Sequence, residues 1–259
     1  YSLEVCVDDT SIAWVPSGNR KDIRQAVEAA RKASSWERQT GHARAQVLYY
    51  VAENLSAQRE RFVKMLSLVQ SPSDAEREFD ASIETLFHYA AWADKYEGPV
   101  HRPPMDSVVV TLHEPLGVIA IVCPDECPLL GLIALAAPAI CLGNRVVLLP
   151  SRKLPTVATD LYQVLDTSDL PDGVVNIVTG RLRELVGTLA SHADVDALWR
   201  HDGDAEGCTE VERLSVGNLK RTWVSGSDRR DWLLPSEGRG TAFLRHASQI
   251  KNIWIPYGV

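Results

Sequence analysis

Residues 117–150 read GVIAIVCPDECPLLGLIALAAPAICLGNRVVLLP, and this stretch decides the fold. Two short apolar runs, Val118 to Cys123 and Arg145 to Leu149, are rich in β-branched residues and have the length of strands buried on both faces. Between them, Pro128 to Leu142 is apolar but interrupted by Pro128, Gly131 and Pro138. It falls short of the ~20 apolar residues that span a bilayer, and reads as a buried helix. Downstream the same grammar repeats. Helices are expected from Thr156 to Leu165 and from Leu182 to Ala190, with strands at Val174 to Val178, Val195 to Trp199 and Arg221 to Val224. Strands alternating with helices predict a parallel α/β sheet with helices on both faces, its ligands beyond the carboxyl ends of the strands.

Upstream, the chain is expected to be helical over residues 1–98. Ile23, Ala26, Val27 and Ala30 share a helical face, with Ser17 or Asn19 as the N-cap. Val47, Leu48, Val51 and Leu55 form a second stripe, Phe62, Val63, Leu66 and Val69 a third, and Phe79, Ile83, Leu86, Phe87 and Ala90 a fourth. Stripes at this spacing are core. Val108 to Leu112 is extended, as in a hairpin arm, and residues 249–257 read as a terminal strand. Residues 225–240, with their charges, Gly and Pro, read as a poorly structured connection.

The composition narrows the function. Of 259 residues, 45% are apolar and 24% charged, so the chain can bury a core and is not a disordered or disulfide-scaffold protein. Its net charge of −7, without a run of lysines or arginines, gives no footprint for nucleic acid, and no segment suits a membrane. The five cysteines lack CxxC spacing, which suits a reducing, cytoplasmic setting with thiols in the core. Cys123 and Cys127 are four apart and would meet on one helical turn, but no His or Cys cluster completes a metal site. Cys208 falls in an acidic segment that reads as exposed. A chain that starts at Tyr1 without Met reads as a fragment or processed product.

From Glu114-Pro115-Leu116-Gly117-Val118-Ile119 the sequence resembles the aldehyde dehydrogenase superfamily. The resemblance runs through Tyr89-Ala90-Ala91-Trp92-Ala93-Asp94-Lys95, Gly143-Asn144-Arg145-Val146-Val147-Leu148, residues 170–180 and Asn218-Leu219-Lys220-Arg221, and closes on residues 249–258. It implies a Rossmann-like cofactor domain (residues 115–225), preceded by a helical part (1–98). It also implies an oligomerisation element made from residues 99–114 and 241–259.

The family's chemistry uses a cysteine nucleophile, an oxyanion-binding asparagine, NAD(P) and a glutamate base. Glu126, in Pro124-Asp125-Glu126-Cys127-Pro128, stands where the resemblance puts the asparagine. Ser225 stands near the position of the base, and a hydroxyl cannot replace a carboxylate there. Of the cofactor positions, Leu149 and Arg152 replace the ribose-holding lysine and glutamate. Gly180 and Gly203 are the other two degenerate positions, the latter beside Asp202, Asp204 and Glu206, which would oppose a phosphate at a helix N-terminus. Set against the resemblance, the domain bearing the nucleophile is expected to be missing, with residues 226–240 in its place. No catalytic residue, metal or cofactor is therefore expected, NAD or NADP being the alternative.

The oligomerisation strands remain. Val108 and Val110, with Ile253, Trp254 and Ile255, would leave an apolar strand edge if unpaired, and are expected to form an interface. The arrangement resembles the shortened C-terminal half of aldehyde dehydrogenase family 16. The expectation is a non-catalytic dimerisation or protein-interaction module. Its partners would be the preceding aldehyde-dehydrogenase-like region of the same protein and a second copy. The rival is a vestigial NAD(P)-binding part of an aldehyde dehydrogenase.

Overall fold

The structure, a computed structural model, describes residues 2–7, 9–226 and 228–257; Tyr1 and Gly258 lie outside them. Its centre is the stretch quoted above. β5 (Val118–Val122) and β6 (Arg145–Leu149) pair in parallel, and every residue of both is buried. They flank α5 (Leu130–Cys141), itself buried throughout, which accommodates Pro138. β7 (Val175–Ile177), β8 (Ala197–Arg200) and β9 (Arg221–Val224) complete a five-stranded parallel sheet of order β7-β6-β5-β8-β9. The chain moves outward from β5 to β7 and then returns to β5's other side with β8. The switch point therefore lies between β5 and β8.

Alternation along the strands divides the core. Ile119, Ile121, Val146, Leu148 and Trp199 face α5 and α6 (Thr156–Asp166). Behind these lie α2 (Gly41–Ala57), α3 (Arg59–Leu66) and α4 (Pro72–Trp92), whose buried Leu48, Phe62, Phe79 and Leu86 belong to the sequence-expected stripes. Val118, Ala120, Val122, Val147 and Leu198 face α1 (Arg20–Lys32) and α7 (Leu182–Ser191), joined by Val211 of α8 (Ala205–Ser215). Burying each such aliphatic side chain stabilises by roughly 1.5–3 kcal/mol. Of the two candidate N-caps, Asn19 caps α1, in a reciprocal box with Asp22.

Polar side chains fix the strand starts. Asn144, fully buried, accepts from Leu116 N (2.7 Å) and Gly117 N (3.0 Å) and donates to Ala139 O and Ala247 O. Gly117 has φ +127°, and a Cβ there would meet the Asp196 carboxylate, which itself accepts from Val118 N at 2.7 Å.

Residues 1–98 are not helical throughout. β1 (Ser2–Val7) and β2 (Thr10–Pro16) form an antiparallel hairpin, turning at Asp9 with φ +61°. Leu3, Val5 and Val7 alternate with the exposed Ser2, Glu4 and Cys6, a period of two that favours a strand.

Residues 225–240 are not a loose connection either. Trp232 is 4% exposed within the main core, α9 (Pro235–Gly238) forms a turn, and Glu237 accepts from Asp231 N at 2.9 Å. Residues 241–246, placed above with the terminal strand, form α10, which packs on α5.

A separate three-stranded sheet has the order β10-β4-β3. β10 (Ser248–Pro256) pairs antiparallel with β4 (Ser107–Pro115) over its whole length, and β3 (Val100–His101) borders β4.

Candidate functional site

The sheet directs attention to its carboxyl ends. After β5, Glu126 lies exposed on its loop. Its neighbour Asp125 binds Arg152 after β6: Oδ2 accepts from Nε (2.9 Å) and Nη2 (2.6 Å), and Oδ1 from Arg152 N and Ser151 Oγ. The fork geometry ties the two loops together and commits the Arg152 guanidinium to the protein itself. Leu149 is buried at the end of β6. Gly180, after β7, bridges to Gly18 at the end of the hairpin.

At the end of β8 the chain fills its own anion position. Arg200, 5% exposed, donates to Asp202 Oδ1 (2.8 Å) and Oδ2 (2.9 Å), and its Nη2 donates to Asp204 Oδ2 at 2.6 Å. Asp204 Oδ1 accepts from Gly207 N at 3.0 Å and caps α8. A Cβ placed at Gly207 would collide with the Arg200 and Asp204 side chains, so those groups cover the first turn of α8. Gly203, with φ +73°, has open space above it. A phosphate approaching α8 would meet two carboxylates and an N–H already satisfied. The residues at α8 and after β6 do not fit the dinucleotide contacts that the resemblance implies. A cleft of about 710 Å³ between α7 and α8 persists, with Arg181 and Arg183 on its rim.

The connection packs over the carboxyl ends of β8 and β9, where Trp232 lies 6.1 Å from His201. Trp232 packs against the main core, which Cys127 also borders. The Arg230 guanidinium lies over Trp223, Trp232 and Phe243, at 5.6, 5.6 and 5.1 Å from the ring centroids, and His246 stacks on Trp223 at 4.1 Å. Ser225 is half-buried at the end of β9. Nothing in the sequence pattern marked this aromatic cluster, because its members come from three separate segments, β9, the connection and α10.

Burial keeps the thiols around α5 protonated. Burial pushes Cys127 up to about 12, and Cys123 and Cys141 higher still. Cys123 follows β5 and Cys127 precedes α5, so they do not share a helical turn. Cys208, expected in an exposed segment, is buried on α8 at 3% exposure. Among the described residues, no group of three His, Cys, Asp or Glu side chains suits a metal. No described helix is long and apolar enough to cross a membrane.

The expected interface residues do stand together. Ile253 pairs with Val110 and Ile255 with Val108, so these four share one face of the ribbon, and Trp254 opposite Val109 points to the other. Ile253, Trp254 and Ile255 are 40%, 55% and 50% exposed.

Residues 4–224 match the aldehyde dehydrogenase family. The chain belongs to that family. Relatives include human retinaldehyde dehydrogenase 3, 31% identical over 217 residues, and mouse retinal dehydrogenase 2, 32% identical over 217 residues. Each alignment covers 81% of this chain and 42% of the relative, so the chain spans less than half the length of these aldehyde dehydrogenases. Among solved structures, a putative aldehyde dehydrogenase from Burkholderia cenocepacia superposes with TM-score 0.83 at 25% identity, over 87% of this chain and 47% of that one. Betaine aldehyde dehydrogenase from Staphylococcus aureus, solved with NAD+, gives TM-score 0.82 at 22% identity, over 87% and 46%. The fold of this aldehyde dehydrogenase family member is therefore the Rossmann-like α/β sheet with its helical layers.

Sequence reasoning passed over Glu78. It is 1% exposed on α4, where Oε1 accepts from Leu129 N (2.8 Å) and Leu130 N (3.1 Å) and Oε2 from Gln70 Nε2 (2.7 Å). The signal was a carboxylate directly beside Phe79 of the apolar stripe. Its role is to serve α5, which has no cap of its own.

Proposed function

We propose that this chain is a non-catalytic aldehyde-dehydrogenase-like module that assembles through its β4–β10 ribbon, as part of a larger cytoplasmic protein of the family 16 type. The observation that carries the reading is the paired apolar face Val108, Val110, Ile253 and Ile255, held in register yet open to solvent on β10. An exposed apolar edge of this length favours pairing with another chain. Partners of suitable chemistry are a second copy and the preceding aldehyde-dehydrogenase-like region. Supporting the non-catalytic part, Glu126 brings no amide to the oxyanion position and Ser225 no carboxylate to the position of the base, and Trp232 packs beside His201 at the end of β8. Sedimentation of the chain, alone and mixed with the preceding region, tests the proposal. A monomer that binds neither itself nor that region refutes it.

A second reading, a vestigial NAD(P)-binding lobe, is favoured by the cleft between α7 and α8 and by the relative solved with NAD+. Calorimetry with NAD and NADP separates the two, because stoichiometric binding supports only the second.

A further inference from the structure

His201 and Ser225, at the carboxyl ends of β8 and β9, and Arg230, in the connection, hold buried polar atoms with no hydrogen-bond partner among the described residues, although Arg230 Nη1 donates to Glu237 O. His201 is 5% exposed, and neither Nδ1 nor Nε2 reaches a hydrogen-bonding group among the described residues. The Ser225 hydroxyl and Arg230 Nε are likewise buried and unpaired. Buried polar groups in native proteins are nearly always hydrogen-bonded, so three in one neighbourhood call for a common explanation.

The fold brings them together. β8 and β9 run in parallel register, Arg200 beside Val224, and the ladder continues as Ser225 N donates to Arg200 O at 3.1 Å. Trp199 and Trp223 meet edge to face at 5.1 Å, and the His201 imidazole lies 4.5 Å from the Trp223 ring. Ser225, two residues beyond Trp223, falls on the same side of the pleat. Arg230 covers that side over Trp223 and Trp232, and Trp232 also flanks His201 at 6.1 Å. The groups acting on the imidazole are Arg230 from the connection and His246 from α10, both basic, with no carboxylate among them. An N–H, a hydroxyl and a guanidinium nitrogen are donors, and the walls are indole rings.

We propose that His201, Ser225 and Arg230 form an internal site for one small monovalent anion, a halide or short carboxylate. The anion accepts from the three donors and holds residues 228–247 against the sheet. A metal cation would suffer repulsion from Arg230 in the same place.

Titration of the full chain with sodium bromide, then sodium formate, at constant ionic strength tests this, with the His201 ring nitrogens followed by NMR. A saturable shift is expected. Ser225→Ala, which removes an unpaired hydroxyl and leaves the packing intact, weakens the affinity about fivefold, as loss of one hydrogen bond does. Arg230→Gln abolishes saturation. Crystals soaked in bromide show an anomalous peak between the three residues. A shift linear in salt, equal affinity in Ser225→Ala, or a peak explained by water overturns the proposal.

Discussion

Asp204 joins the first turn of α8 to Arg200, its Oδ1 accepting from Gly207 N and its Oδ2 lying 2.6 Å from the guanidinium. One carboxylate thus serves as helix cap and as counter-ion. Hydrogen bonding to Gly207 N, followed by the charge of Arg200, holds its pKa below the usual carboxylate range. Asp204→Ala should destabilise the chain by about 1 kcal/mol through loss of the cap, while Asp202 keeps Arg200 paired. The urea midpoint reads this directly. Because those groups cover the turn, neither NAD nor NADP should raise the midpoint of the unmodified chain.

Ile253→Lys places a charge on the open face opposite Val110. Exposed substitutions shift stability by only about 0.5 kcal/mol, so the urea midpoint should hardly move. Sedimentation should instead move towards monomer. A change in folding without a change in association would make the face structural rather than an interface.

Glu78 supplies the next prediction. Removing its side chain in Glu78→Ala leaves Leu129 N and Leu130 N buried without an acceptor, and each such loss costs about 1–3 kcal/mol. Glu78→Gln keeps an acceptor and should cost far less. Burial is the leading cause that raises the Glu78 pKa, outweighing the hydrogen bonds that lower it. A carboxyl with a raised pKa contributes stability that is present below its unfolded value, near 4.5, and is lost as pH rises through the folded value. The penalty of Glu78→Gln relative to the unmodified chain should therefore shrink as pH rises across that range.

The sheet was legible because its signals are local. A run such as Val118 to Val122 is apolar at every position, and only a strand covered on both faces suits it. The ribbon was legible for a similar reason, since Ile253, Trp254 and Ile255 are adjacent in sequence. The hairpin was obscured because its runs are short and the strong helical stripes that begin at Ile23 dominated the reading of residues 1–98. The aromatic cluster was not legible at all. Arg230 from the connection and Phe243 from α10 both come onto Trp223 of β9, and no spacing rule connects them. Likewise Asp202 and Asp204 read as an acidic loop until Arg200, preceding them on the strand, is seen folded back onto both.

His201 should dominate the acid sensitivity of the fold. Burial, then the positive charges of Arg230 and His246, lower its pKa to about 3 from the ordinary 6.5. Protons bind the unfolded chain more readily, so the stabilisation is complete above pH 6.5 and is lost as pH falls towards 3. At pH 5 the loss is about 2 kcal/mol, at roughly 1.4 kcal/mol per pH unit. His201→Phe keeps an aromatic ring against Trp223 and removes the proton site, so its urea midpoint should fall less between pH 7 and pH 5. A residual slope should remain, because burial also lowers His246 and His88. Bound bromide favours the imidazolium in the folded chain, so it should flatten the unmodified protein's slope and leave that of His201→Phe unchanged. Equal slopes for the two proteins would show that the imidazole is not the group that titrates.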